Sequence, residues 1–276
     1  MNAVRTEWKT QDGTNIFAQY WTNQGELKGL VCLVHGFGEH SSRYAHVAEM
    51  LNQNGYALYA FDHRGHGRSE GTRGHINSFS ELIEEVDLLL ENAQKQFPDV
   101  PVFLYGHSWG GGIVGNYLVN KQTDLQGAII TGAWFRLATP APAFQVFLAK
   151  IMNVIWPSLT QSSNLDTAFL SHNQSVIDAY KNDPLVHGKI SPRLFLETAA
   201  AGEFSIANAK NVKIPVIIMH GSDDQITSPK GSEEFHAGIP ARSSLKIYEG
   251  QYHEIHNEVE NSLVLADMLQ FLNSHL

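Results

Sequence analysis

The sequence predicts an α/β fold: a mostly parallel eight-stranded sheet with helices on both faces and one inserted helical segment. Three features carry that expectation. Short, almost unbroken apolar runs occupy residues 30–34, 56–61, 102–105, 128–131 and 216–219, as expected of strands covered on both sides. Helical spacings separate them, and strands that alternate with helices pair in parallel, because each helix carries the chain back to the starting end of the sheet. From about residue 134 to about 206 no clear sheet strand occurs, which marks an insertion.

The elements follow in order. Residues 5–9 and 16–21 are β-prone pieces on either side of Asp12-Gly13, a hairpin signal that adds an antiparallel edge. Residues 44–54 have helical spacing and end at Gly55, which suits the left-handed position past a helix C-terminus. In 79–96, Leu82, Val86, Leu89 and Leu90 share one face. Within the interruption, Pro140, Pro142, Pro157, Pro184 and Pro192 separate helical pieces, and Phe144, Phe147, Leu148, Ile151 and Ile155 fall on one helical side. Such a side must be covered, so the region reads as a cap and not a linker. The strand-helix rhythm resumes at 216–219 and 244–248 and closes with a helix over about 258–272. The expected organisation is a first core part at 1–133, a helical cap at 134–206 and a second core part at 207–276.

Composition narrows the class of function. At 43% hydrophobic residues in 276, a sizeable core is possible. A formal net charge of −9 with no basic cluster argues against nucleic acid and offers no polybasic handle for anionic lipid. Cys32, the only cysteine, lies inside an apolar run, so an intrachain disulfide is impossible and a small core residue is the simplest reading. The start lacks the apolar stretch of a signal peptide, and no window approaches the roughly 18 apolar residues of a membrane span. A soluble cytoplasmic protein is expected.

The chemistry centres on Gly106-His107-Ser108-Trp109-Gly110, which links a buried-strand pattern to a helical one and sets Ser108 at a strand-to-helix turn. The turn is sharp enough that a Cβ at Gly106 or Gly110 collides with neighbouring backbone. The motif is weak by itself. A serine hydroxyl needs an imidazole to take its proton and a carboxylate to hold that imidazole, and in a parallel sheet both belong in loops past the strand C-terminal ends. One such loop reads His220-Gly221-Ser222-Asp223-Asp224, and another reads Glu249-Gly250-Gln251-Tyr252-His253-Glu254. The order Ser, Asp, His fits the turn. The loop itself leaves Asp223 and Asp224 both open as the acid, whereas His253 directly follows the last strand and His256 lies one turn further on. The developing oxyanion needs two N–H donors. Trp109, next to the serine, supplies one, and Phe37 in His35-Gly36-Phe37-Gly38-Glu39 supplies the other.

Taken together, His35-Gly36-Phe37-Gly38-Glu39-His40-Ser41-Ser42-Arg43-Tyr44, Phe61-Asp62-His63-Arg64-Gly65-His66-Gly67-Arg68-Ser69 and Gly106-His107-Ser108-Trp109-Gly110-Gly111 resemble the monoacylglycerol lipase and lysophospholipase family of α/β-hydrolases. The likeness spans nearly the whole chain and is weakest in the cap. It implies the α/β-hydrolase fold and acyl-ester hydrolysis without metal or cofactor by Ser108, Asp224 and His253, the acid standing three residues after Gly221. It further implies a cap that holds an acyl tunnel and rests on a membrane, and a polar network of Glu39, Arg43 and His256 beside the alcohol side of the pocket. Phe144, Phe147, Leu148 and Ile151 are the expected acyl-binding residues, because the stretch up to Trp156 is more apolar than one buried face requires. The loop Asp62-His63-Arg64-Gly65-His66-Gly67 resembles a structural loop of the family.

One position departs from the pattern. Methionine usually follows the serine in this family, and Trp109 is instead shared with proline-iminopeptidase-like relatives. Those carry His-Gly-Gly-Pro-Gly where this chain has His35-Gly36-Phe37-Gly38-Glu39, and no carboxylate pocket for a substrate amine is legible. The expected function is therefore hydrolysis of a small lipid ester, a monoacylglycerol, with lysophospholipase or general carboxylesterase activity as neighbouring alternatives. A non-catalytic binding protein of the same fold is the alternative from another class.

Overall fold

The computed structural model describes residues 3–23 and 25–276. Along the chain lie β1 (Val4–Lys9), β2 (Asn15–Trp21), β3 (Gly29–Val34), α1 (Ala45–Gln53), β4 (Tyr56–Phe61), α2 (Phe79–Gln96), β5 (Val102–His107), α3 (Trp109–Asn120) and β6 (Gly127–Thr131). There follow α4 (Ala143–Ile155), β7 (Gln161–Ser162), α5 (Gln174–Asn182), β8 (Lys189–Ile190), α6 (Pro192–Ala207), β9 (Val216–Gly221), α7 (Pro229–Ala237), β10 (Ser243–Tyr248) and α8 (Ser262–Asn273). Eight strands form one sheet in the order β1-β2-β4-β3-β5-β6-β9-β10. Only β2 runs against the others, so the leading hairpin is the antiparallel edge. The strands β7 and β8 pair separately as a short ribbon.

Alternation along each strand divides the interior into two layers. In β3, Leu30, Cys32 and Val34 pack with Leu82 of α2 and Ile113 of α3, while Val31 and Leu33 pack with Val47 of α1 and Met268 of α8. Strand β4 does the same, sending Tyr59 and Phe61 one way and Leu58 and Ala60 the other. Apolar residues therefore run on without a polar break, because neither face meets water. Each fully buried Leu, Ile or Val contributes about 1.5–3 kcal/mol. Cys32 is wholly buried, and burial pushes its thiol well up, which leaves it protonated.

Two boundaries differ from the sequence expectation. The first helix starts at Ala45, because Ser41–Tyr44 forms a separate 3-10 turn. The last starts at Ser262 and not near 258. The Glu258 carboxylate accepts from the N–H of Tyr252, the N–H of His172 and the hydroxyl of Ser171, and so is committed to clamping a loop. The loop after β4 is held as expected of a structural element. Asp62 accepts from the N–H groups of Ser41 and Arg68, and Glu85 binds both Arg64 and His63.

Between β6 and β9 the chain leaves the sheet. Ser191 accepts from the Leu194 N–H ahead of α6, whose first residue is Pro192, a conventional helix start. Helix α6 lies against α3, where Trp109 Nε1–H donates to Thr198 Oγ1 at 3.0 Å and Asn116 donates to the Ala201 carbonyl. The segment around α5 returns to the C-terminal edge of the sheet, with His187 N–H donating to the Gly38 carbonyl and Glu254 N–H to the Leu170 carbonyl. Helix α4 packs on α6 and has no fully buried residue.

Candidate active site

Ser108 sits between β5 and α3 with φ 56° and ψ −118°, a left-handed conformation that costs a non-glycine residue about 1–3 kcal/mol. Its surroundings impose that geometry. The Ser108 N–H donates to the Thr131 carbonyl, and the Ser108 carbonyl accepts from Trp134 N–H at 2.8 Å and from Gly112 N–H. Helix α3 approaches β3 so closely that a Cβ on Gly110 would lie 2.0 Å from the Val34 carbonyl oxygen, and one on Gly106 would lie 2.5 Å from the Gly110 oxygen. Close approach, not a positive φ, is what requires glycine at both positions.

The loops after β9 and β10 bring their side chains to the same point. His253 Nε2 lies 2.8 Å from Ser108 Oγ, and His253 Nδ1 lies 2.6 Å from Asp224 Oδ2. An ionised carboxylate only accepts, so Nδ1 carries the proton and Nε2 is left to accept from the serine hydroxyl. Burial alone pushes the His253 imidazole down, but the charge and hydrogen bond of Asp224 more than offset it and leave it above the ordinary value of 6.5. Burial pushes the Asp224 carboxyl up, yet His253 and His220 hold it well below the carboxylate range. Asp224 also accepts from the N–H groups of Ile226 and Thr227 and from the Thr227 hydroxyl, which satisfies its lone pairs. Asp223, the other sequence candidate, is exposed and accepts from Ser222 Oγ, so the structure brings Asp224 alone to the imidazole.

Phe37 and Trp109 flank the serine on the wall of the same cavity or immediately behind it. The Trp109 N–H is the first of α3 and has no partner inside the helix. The Gly36 N–H, one residue before Phe37, donates to Glu39 Oε1 at 2.7 Å, which fixes the loop. The Trp109 indole points away from the cavity and packs between His63 and His66, with its N–H spent on Thr198.

The polar network around Glu39 differs in part from its expected place. Glu39 lines the cavity, whereas Arg43 and His256 do not. Arg43 is held between Glu39 and Glu254 and stacks on the Tyr180 ring at 4.8 Å. His256 is buried behind the wall, parallel to Tyr44 at 5.0 Å and edge-on to His107 at 4.6 Å, and burial keeps it well below the ordinary histidine range. Glu254 and Tyr180 belong to this cluster but were not singled out from the sequence. The only signal for Glu254 is an acid directly after His253.

A cavity of about 1060 Å³ opens on Ser108 and His253. Of the four residues expected to bind an acyl chain, only Leu148 lines it. Phe144, Phe147 and Ile151 face outward, with Phe144 69% exposed. The inner side of α4 is instead Gln145, Leu148, Ala149 and Met152, joined by Phe195 of α6 and Phe169. The helix is apolar nearly all round, so periodicity could not decide which side faces inward. Among the described residues the cavity wall carries carboxylates from Glu39, Asp166 and Glu254 and no lysine or arginine.

Comparison with known proteins agrees with this architecture. The family model described as serine aminopeptidase, S33 matches residues 25–260. A monoacylglycerol lipase of Mycolicibacterium smegmatis is 34% identical over 266 residues, covering 96% of this chain and 95% of that protein. An abhydrolase domain-containing protein of Dictyostelium discoideum is 33% identical over 270 residues, 97% of this chain, and this chain spans 28% of that longer protein. Among solved structures, the monoacylglycerol lipase of Paleococcus ferrophilus matches over 100% of both chains with a TM-score of 0.85 and 32% identity. Sheet order, strand-to-helix turn and sequence kinship agree, and the chain belongs to the monoacylglycerol lipase family of α/β-hydrolases as a carboxylic ester hydrolase.

Proposed function

We propose that the chain cleaves the acyl ester of monoacylglycerols to fatty acid and glycerol, with Ser108 as nucleophile, His253 as general base and acid, and Asp224 as the carboxylate that orients it. The observation that carries this reading is the continuous chain of contacts Ser108 Oγ to His253 Nε2 at 2.8 Å and His253 Nδ1 to Asp224 Oδ2 at 2.6 Å, opening on a cavity of about 1060 Å³. Ser108 attacks the ester carbonyl as its proton passes to His253 Nε2, and the negative oxygen is received by the N–H groups of Phe37 and Trp109. His253 then gives that proton to the departing alcohol, leaving an acyl ester on Ser108. A water that loses a proton to the same imidazole attacks this ester, and the proton returns to Ser108 as the fatty acid leaves.

The substrate class follows from charge and greasiness. Segment 134–206 serves as a cap, with Leu148, Met152 and Phe195 offering an apolar path for the acyl chain. The alcohol side meets Glu39 and Glu254 without a cationic neighbour on the wall, which suits an uncharged alcohol and repels a phosphate. Both carboxylates are already bound to Arg43, so neither is free to take a substrate ammonium, and this counts against an aminopeptidase. The outer side of α4, with Val154 83% and Ile155 72% exposed, fits contact with the lipid surface that carries the substrate.

Four outcomes test these assignments. Ser108→Ala and His253→Ala are expected to lower turnover by roughly 10⁶ and Asp224→Ala by about 10⁴; near-normal turnover of folded Ser108→Ala would sink the assignment. His253 must be neutral to act as base, so kcat/KM should fall on acidification through a midpoint above 6.5, in a profile measured from pH 4 to 9. A midpoint below that value would mean that burial of the imidazole outweighs its contact with Asp224. On a panel of purified esters, release of fatty acid should rise from short to long acyl chains and run at least roughly tenfold faster on 1-monoacylglycerol than on the matching lysophosphatidylcholine. A flat chain-length profile would favour a small-ester carboxylesterase, and the reverse head-group ratio a lysophospholipase. Finally, Val154→Asp with Ile155→Asp should cut hydrolysis of monoacylglycerol in vesicles about tenfold or more while sparing a dissolved short-chain ester. Equal loss on both substrates would argue against surface contact.

A further inference from the structure

The Arg43 cluster bears on how the site is assembled. Glu39 Oε1 accepts from the Gly36 N–H at 2.7 Å and from the Tyr44 hydroxyl at 2.7 Å, and Glu39 Oε2 accepts from Arg43 Nη1 at 2.5 Å. Gly36 immediately precedes Phe37. At the other end, Glu254 immediately follows His253, and its two oxygens accept from Arg43 Nη1 at 2.7 Å and Nη2 at 2.8 Å, with Asn257 donating to Oε2 at 2.7 Å. The guanidinium fork thus spans from the loop after β3 to the loop after β10, two segments 211 positions apart. Tyr180 stacks on Arg43 and itself lines the cavity, whereas the guanidinium does not reach the wall. Three of the five guanidinium N–H groups are committed to Glu39 and Glu254, and Arg43 contributes nothing to the cavity wall, so its recorded contacts all go to protein carboxylates.

We propose that Arg43 is a positioning residue, a strut that holds the Phe37 loop and the His253 loop at their working separation without touching the alcohol of the substrate. The inference rests on the reading of Ser108 and His253 given above. A bidentate arginine fixes both distance and angle between two carboxylates, which a lysine ammonium cannot do. Oxyanion donors and a general base lose effect when displaced by as little as an ångström, so a strut between them acts on the chemical step and not on binding.

The test compares Arg43→Lys, Arg43→Ala and Glu254→Gln, measuring kcat and KM on a 1-monoacylglycerol and on the p-nitrophenyl ester of the same fatty acid. A strut predicts a fall in kcat of about 10- to 100-fold, equal on the two esters, with KM within about threefold of the parent, and partial recovery of Arg43→Ala by added guanidinium ion. If Arg43→Ala fails to fold, Glu254→Gln, which keeps the shape and one acceptor, carries the same expectation. Loss confined to the glyceryl ester, loss expressed in KM, or an unchanged kcat in a folded variant would overturn the proposal. Labelling of the parent protein by a fluorophosphonate separates the two readings: an adduct at Ser108 with kcat indifferent to Arg43 rejects only the strut, while no adduct at Ser108 rejects the nucleophile itself.

Discussion

The site is organised by one buried charge. Asp224 is almost completely withdrawn from water, and a carboxylate there is tolerable only if donors replace its hydration. The N–H groups of Ile226 and Thr227, the Thr227 hydroxyl, His220 and His253 converge on it. Each comes from the β9 strand and its following loop, or from the loop after β10, so satisfying the charge forces those segments together beside the turn that carries Ser108. The imidazole set between Asp224 and Ser108 gains its basicity from the same contact, which opposes the effect of its own burial.

A second constraint is the closeness of α3 to β3. A side-chain carbon at Gly110 has no room against the Val34 carbonyl, and the strain at Ser108 is maintained by hydrogen bonds from Trp134 and Gly112 on its carbonyl. The bulk that follows the serine is turned to a structural use. Trp109 reaches back between His63 and His66 and joins α6 through Thr198, so the turn at Ser108 and the segment between β6 and β9 are tied by one indole.

The inserted segment answers a different demand. Helix α4 is apolar on both sides, one lining the cavity through Leu148 and Met152 and the other open to solvent through Phe144, Phe147 and Val154. Water tolerates such an outer face poorly. In the buried ion cluster of Glu39, Arg43 and Glu254 two carboxylates flank one guanidinium, which more than cancels its charge. Removing the arginine would leave two buried carboxylates without a cation between them.

Much of this was legible from residue order. Apolar runs at 30–34, 56–61 and 216–219 announced strands buried on both faces, because in a covered sheet every side chain meets the core. The glycines around Ser108 and the position of His253 right after the final strand announced the two residues that the fold brings into contact, since a parallel sheet gathers its loops at one edge. Tertiary structure alone decided what depends on partners remote in sequence. Asp224 and Asp223 are adjacent and alike, so the loop itself left both open; the resemblance pointed to Asp224, and the fold shows that carboxylate turned inward. Helix α4 is greasy all round, so its inner side is chosen by what it packs on and not by its own periodicity. The resemblance put Arg43 in a network with Glu39, but its other partner, Glu254, stands 211 residues later, and only the fold closes the fork around it. Periodicity records whether a residue is buried; which groups meet across the core is set by chain topology, and no local pattern encodes it.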